Sequence, residues 1–146
     1  ILLWSQMHGD ESTATMAIFD IFNYLKKNKA ILTDIKLHFI PMLNPDGAER
    51  FTRRNAIGID LNRDAVQLQS PEAVILKDAR DSLQADFGFN LHDQSKYYNA
   101  ERTEKPATIS YLAPAYNYEK TINTTRGNAM KIIVEMNRII QKYAPG

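Results

Sequence analysis

Cysteine is absent from the 146 residues, which removes disulfide staples and thiolate metal ligands from consideration and leaves the redox compartment open. No apolar run approaches the roughly twenty residues that cross a bilayer, and no leader-like segment is visible. Excess charge of one sign is missing too, since 18 Lys and Arg stand against 17 Asp and Glu for a net charge of +1. A nucleic-acid partner needs a clustered basic surface, so none is expected. Internal repeats and low-complexity tracts are absent. What remains is 44% hydrophobic and 24% charged residues, the composition of a globular protein with a core, in a length near that of one ordinary domain.

Hydrophobic periodicity divides the chain into alternating strands and helices. Residues 1–7 read as a buried strand. Residues 12–28 follow as a helix whose stripe is Ala14, Ala17, Ile18, Ile21, Phe22 and Leu25. Residues 35–43 form the next strand, closed by an Asn44-Pro45-Asp46-Gly47 turn, and His38 inside it reads as structural. Ser70-Pro71-Glu72 starts a helix, with serine as cap, proline at the first position and an acid in the first turn. Ile75, Leu76, Ala79 and Leu83 carry that helix on. Phe87, Phe89 and Leu91 alternate along a strand that ends at His92, with Asn90 on the same side. Residues 93–117 are irregular and rich in tyrosine, suited either to a cleft wall or to a self-packed loop. The last helix carries Ala129, Ile132, Ile133, Met136, Ile139, Ile140 and Tyr143 on one face, expected to be core. The triplet Asn123-Thr124-Thr125 matches a glycosylation sequon at the front of that helix. The architecture expected is α/β, a three-layer helix/mixed β-sheet/helix sandwich.

His8-Gly9-Asp10-Glu11 lies where the first strand gives way to a helix, at the carboxyl edge of the sheet, where open α/β sheets bind their ligands. A histidine and a carboxylate three apart can share a metal ion, and zinc accepts both donor types. The same residues also suit a polar turn with Glu11 near a helix N-terminus. A catalytic zinc takes three protein ligands and leaves a position for water. His92, at another strand end, is placed to be the third, or to be an ordinary histidine meeting solvent. Between them, residues 53–64 gather Arg53, Arg54, Asn55, Asp60, Asn62, Arg63 and Asp64, too irregular and polar a stretch for a core. Arginine's fork there suits a planar anion; the alternative is internal pairing of the arginines with Asp60 and Asp64.

Taken in order and spacing, His8-x-x-Glu11, Asn44-Pro45-Asp46-Gly47, Arg53-x-Asn55-Ala56, Gly58-Ile59-Asp60-Leu61-Asn62-Arg63 and His92 resemble the zinc carboxypeptidase family, the carboxypeptidase A-like metallopeptidases. The resemblance implies one zinc per chain, held by His8, Glu11 and His92. It implies that Arg53 polarises the scissile carbonyl, with Arg54 leaving the register open by one. Asn62 and Arg63 are implied to grip the substrate's terminal carboxylate, and Asp60 to orient His8 without binding the metal. A peptide, or a murein peptide, is the implied substrate. A periplasmic or secreted location follows from the resemblance alone.

Two departures stand out. The family's catalytic glutamate, which follows the third ligand on a later strand, has no match: Glu101 and Glu104 read as loop, and Glu119 and Glu135 fall on or near the last helix. Its substrate-facing tyrosine has no match either. Asp10 stands where digestive members carry arginine, so this form looks more like bacterial amidase and carboxypeptidase branches; Asp10 would suit a substrate ammonium group, or simply cap a helix. Residues 1–146 are therefore expected to be a single partial catalytic domain, incomplete at both ends and inactive alone. The alternatives are a murein-peptide amidase or acyl-amino-acid hydrolase of the same superfamily and, in another class, a zinc- or peptide-binding pseudoenzyme.

Overall fold

A computed structural model of the chain describes residues 1–95, 97–100 and 102–143. They group into two units, Ile1–Asp93 and Gln94–Gly146.

The first unit is built on β1 (Leu2–Trp4), followed by α1 (Thr13–Lys27), a 3-10 turn at Lys29–Thr33 and β2 (His38–Ile40). Then come α2 (Pro45–Arg50), α3 (Leu61–Asp64), α4 (Pro71–Leu83) and β3 (Gly88–Asn90). The strands lie in the order β2-β1-β3. Both pairings are parallel, with Leu3 opposite Phe39 and Phe89. Parallel neighbours need long crossovers, which α1 and the α2-to-α4 segment provide.

Side-chain alternation gives the sheet two faces. On one, Phe39 meets Phe22 of α1 edge-on, ring centroids 4.9 Å apart. On the other, Trp4 and Ile40 pack with Leu76 of α4 around buried Met7, Leu43 and Leu61. The sheet thus has helices on both sides, the layering read from the sequence, and its described strands are all parallel. No described helix is long and apolar enough to cross a membrane.

Three local expectations are corrected. The regular strands are shorter than residues 1–7 and 35–43; after the first, Gln6 adopts a left-handed φ of 50° and turns the chain. Ser5 nevertheless continues the pairing, its N–H donating to the Ile40 carbonyl at 3.1 Å. The Asn-Pro-Asp-Gly segment is the first turn of α2 rather than an isolated turn. Asn44 caps it, accepting from the Gly47 N–H at 2.9 Å, and Pro45 takes the first helical position, where its missing N–H costs nothing. Residues 53–64 are not wholly outside the core: Leu61 is 1% exposed, on a helical turn capped by Asp60.

The second unit holds an isolated antiparallel bridge between Asn99 and Pro106 and the helix α5 (Thr124–Ile140). Asn123, the sequon residue, caps α5 by accepting from the Arg126 N–H at 2.9 Å. The stripe expected as core is only half-buried at Ala129, Ile132, Ile133, Met136 and Ile140, and Ile139 and Tyr143 are exposed. No described residue of α5 is buried, since the unit has no other helix or strand among its described residues to cover it.

Candidate metal centre

Past Trp4 the chain leaves the sheet through the Gln6 turn and delivers His8 into the interior, 2% exposed. Gly9 comes so close to the start of α2 that a side chain there would strike the Gly47 carbonyl carbon and the Ala48 nitrogen. Glycine is therefore required between His8 and the helix, and the Glu11 N–H closes the turn on the His8 carbonyl at 3.1 Å.

This turn and the exit of β3 put three donor groups together. Glu11 offers one oxygen to each histidine, Oε1 lying 2.7 Å from His8 Nδ1 and Oε2 lying 2.6 Å from His92 Nδ1. One donor atom from each of the three residues falls within 4.8 Å of the others. Burial pushes the Glu11 carboxyl up, but its hydrogen bonds to His92 and His8 outweigh this and hold it below the ordinary value. Behind His8, Asp60 Oδ1 stands 3.2 Å from Nε2, where it is placed to accept an Nε2 proton and leave Nδ1 to face the cluster. Two acceptors 2.7 Å apart call for a proton or a cation between them.

The comparisons decide the family. Residues 1–73, half of the chain, match the family described as Zinc carboxypeptidase. The chain belongs to the zinc carboxypeptidase family. Carboxypeptidase SOL1 of Arabidopsis thaliana is 30% identical, over 76% of this chain and 28% of that protein. The crystal structure of a metallo-carboxypeptidase from Burkholderia cenocepacia superimposes with a TM-score of 0.56 at 25% identity, over 64% of this chain and 28% of the other. A Shewanella denitrificans protein considered a metallopeptidase shares the fold with a TM-score of 0.58 at 24% identity, over 73% of this chain and 43% of its own. This chain spans less than half the length of each. His92 lies beyond the matched residues of the family description; it joins the cluster through the fold.

Membership in a zinc carboxypeptidase family implies zinc, and the cluster fits it. Two imidazole nitrogens and a carboxylate are donors zinc accepts, and three protein ligands leave room for water. Exposure is graded across the cluster, with side chains 3% exposed at His8, 17% at Glu11 and 29% at His92, so its open side is at His92.

Arg53 and Arg54 part company. Arg53 Nε donates to Asp60 Oδ2 at 3.0 Å, and its Nη1 lies 3.2 Å from His8 Nδ1. Arg54 turns back on its own loop, donating to the Gly58 carbonyl at 2.8 Å. Burial raises the Asp60 carboxyl, but the Arg53 hydrogen bond and charge lower it further, leaving it below its usual range. Asn62 donates its backbone N–H to Asp60 Oδ1 at 3.0 Å. Asn62 also lines a cavity of about 170 Å3 together with Trp4 and Leu76. Arg63 is exposed and makes no side-chain hydrogen bond or ion pair among the described residues.

Two contributors escaped the sequence reading. Asp93 accepts from both the N–H and the hydroxyl of Thr13, at 3.1 and 2.9 Å, and its own N–H donates to Glu11 Oε2 at 3.3 Å. It thereby caps α1 and fastens the exit of β3 beside Glu11. The only signal was an acid directly after His92. Asn44, fully buried, donates to the Met7 carbonyl at 3.3 Å and the Arg53 carbonyl at 3.4 Å, tying the two segments that carry His8 and Arg53. Asp10 does not cap α1, and its Oδ1 is buried without a hydrogen-bond partner among the described residues. Glu104, Glu119 and Glu135 are exposed residues of the second unit, and Glu101 lies outside the described residues.

Proposed function

We propose that the protein carrying this chain is a zinc-dependent metallocarboxypeptidase, and that residues 1–146 are part of its catalytic domain. The observation that carries this reading is the pair of Nδ1 atoms set against the two oxygens of Glu11, with Asp60 behind His8. Zinc held by His8, Glu11 and His92 would supply Lewis acidity and bring the pKa of bound water down to about 7.

The chain's own residues then divide the work. Asp60 fixes the His8 tautomer by accepting the Nε2 proton, keeping Nδ1 available. Arg53 places a guanidinium at the edge of the cluster, where charge develops on a scissile carbonyl. Such a donor is worth about 2.7–4 kcal/mol in the transition state. Arg63, whose side chain has no partner among the described residues, and Asn62 hold the terminal carboxylate of the substrate, and their value lies in near-attack geometry. The proton taken from water must pass to the leaving amine, and the glutamate that carries it comes from outside the residues described.

Asp10 supports a second reading on substrate. An acid at this position, its Oδ1 without a partner among the described residues, would suit a substrate that brings an ammonium group, as murein-peptide amidase action does.

The test compares hydrolysis of a peptide with a free C-terminus and the same peptide amidated. The full-length protein with zinc should release the terminal residue only from the free form. The 146-residue chain with zinc should release it from neither. Equal cleavage of both peptides by the full-length protein would contradict the exopeptidase reading, and turnover by the 146-residue chain would mean that its own residues include the base.

A further inference from the structure

We infer that Glu72, on α4 and outside the metal cluster, is a positioning residue that sets the cluster's outer wall by clamping Asn55. The inference rests on the zinc reading above.

Arg53 and Asp60 stand at the two ends of a short loop, and Asn55 closes that loop on itself. Its backbone N–H donates to the Ile59 carbonyl at 3.1 Å, and its side-chain Oδ1 accepts from the Ile59 N–H at 2.8 Å. The Gly58 N–H donates back to the Asn55 carbonyl at 3.0 Å. These bonds fix the separation of the residue two before Asn55, which is Arg53, from the residue after Ile59, which is Asp60. The distance is then used: Arg53 Nε reaches Asp60 Oδ2 at 3.0 Å, and Asp60 reaches His8. Asn44 ties the loop at its Arg53 end; from the other side the loop is held to α4 by the remaining hydrogen-bonding group of Asn55, Nδ2, which donates to Glu72 Oε2 at 3.1 Å.

Packing alone does not account for Glu72. It is 8% exposed, and its side-chain hydrogen bond is to a neutral amide. Burying a carboxylate against an amide costs more than burying an apolar side chain of the same length. Its place in the first turn of α4 offsets part of that cost, because a helix N-terminus favours negative charge. The acid makes sense where an acceptor is needed at the end of a three-carbon reach, to hold Asn55 and through it the Arg53–Asp60 pair. Partners that orient metal ligands cost about 10–100-fold in metal affinity or activity when lost.

The experiment is a zinc titration against a competing chromogenic chelator, with thermal unfolding recorded for each protein. Glu72→Met fills the same space but offers no acceptor, so zinc affinity should fall about tenfold or more. Glu72→Gln keeps an acceptor oxygen for Asn55 and should restore the affinity. If Glu72→Met fails to fold, Asn55→Asp asks the same question, since it retains the acceptor for the Ile59 N–H and sets a carboxylate against Glu72. A lower unfolding temperature with unchanged zinc affinity in the folded variant would overturn the clamp and leave Glu72 a stability residue. Loss in Glu72→Gln equal to that in Glu72→Met would overturn it as well. If the unsubstituted protein binds no zinc, the proposed function itself fails, a result distinct from either.

Discussion

Arg53 and Arg54 are adjacent and chemically identical, yet one reaches His8 and Asp60 and the other the Gly58 carbonyl. Sequence cannot separate them, because a loop has no period to say which of two neighbours points inward. The histidines were easier to read: a strand end projects its side chain at the edge of the sheet, so His8 and His92 could be expected near each other from the strand pattern. The difference between the arginines has a measurable consequence. Arg53→Ala should lower turnover of the full-length protein about 10²–10³-fold, the cost of losing one oxyanion donor, a larger effect than the roughly tenfold loss of zinc affinity expected when the Arg53–Asp60 pair is disturbed. Arg54→Ala should leave turnover close to that of the parent, because an exposed arginine held by one loop carbonyl contributes little. Kinetics and metal analysis on the two variants check both, and a larger loss in Arg54→Ala would reverse the assignment.

At the scale of elements, helix starts were legible where capping chemistry is local. Ser70-Pro71-Glu72 begins α4, with the Ser70 hydroxyl accepting from the Ala73 N–H at 3.3 Å. Strand ends were not, because the φ of 50° at Gln6 answers to the crossing of the chain over α2 and not to any turn signal in its neighbours. The link from α3 to α4 shows a further device. Asp64 accepts from the Ser70 hydroxyl at 2.7 Å and from the N–H groups of Gln69 and Ser70 at 2.9 and 2.8 Å. The Ser70 hydroxyl foremost, then the Gln69 N–H, hold its carboxyl below the ordinary range. A carboxyl whose folded pKa is depressed contributes stability above its unfolded pKa of about 3.9 and loses it as pH falls through the lower folded value. Asp64→Asn should therefore lower the unfolding temperature at pH 7 and flatten its decline below about pH 4. Thermal unfolding between neutral and acidic pH measures this, and parallel curves for the two proteins would contradict it.

At the scale of the whole molecule, the helix/sheet/helix order followed from period and element sequence, because a βαβ pattern admits few arrangements. The fate of the α5 stripe did not follow. Amphipathic spacing says that a face seeks cover but not what supplies it, and here the face stays half-buried in its own unit. The metal cluster likewise belongs to a folded body and not to a motif, since residues 8 and 11 meet residue 92 only through the pairing of β1 with β3. Zinc binding therefore reads the fold and the site together. The most direct measurement is zinc stoichiometry of the purified protein beside its His92→Ala variant, by metal analysis after dialysis. We expect about one zinc per chain in the parent and loss of it in the variant; a parent that retains no zinc, or a variant that retains as much, would contradict the assignment of His8, Glu11 and His92.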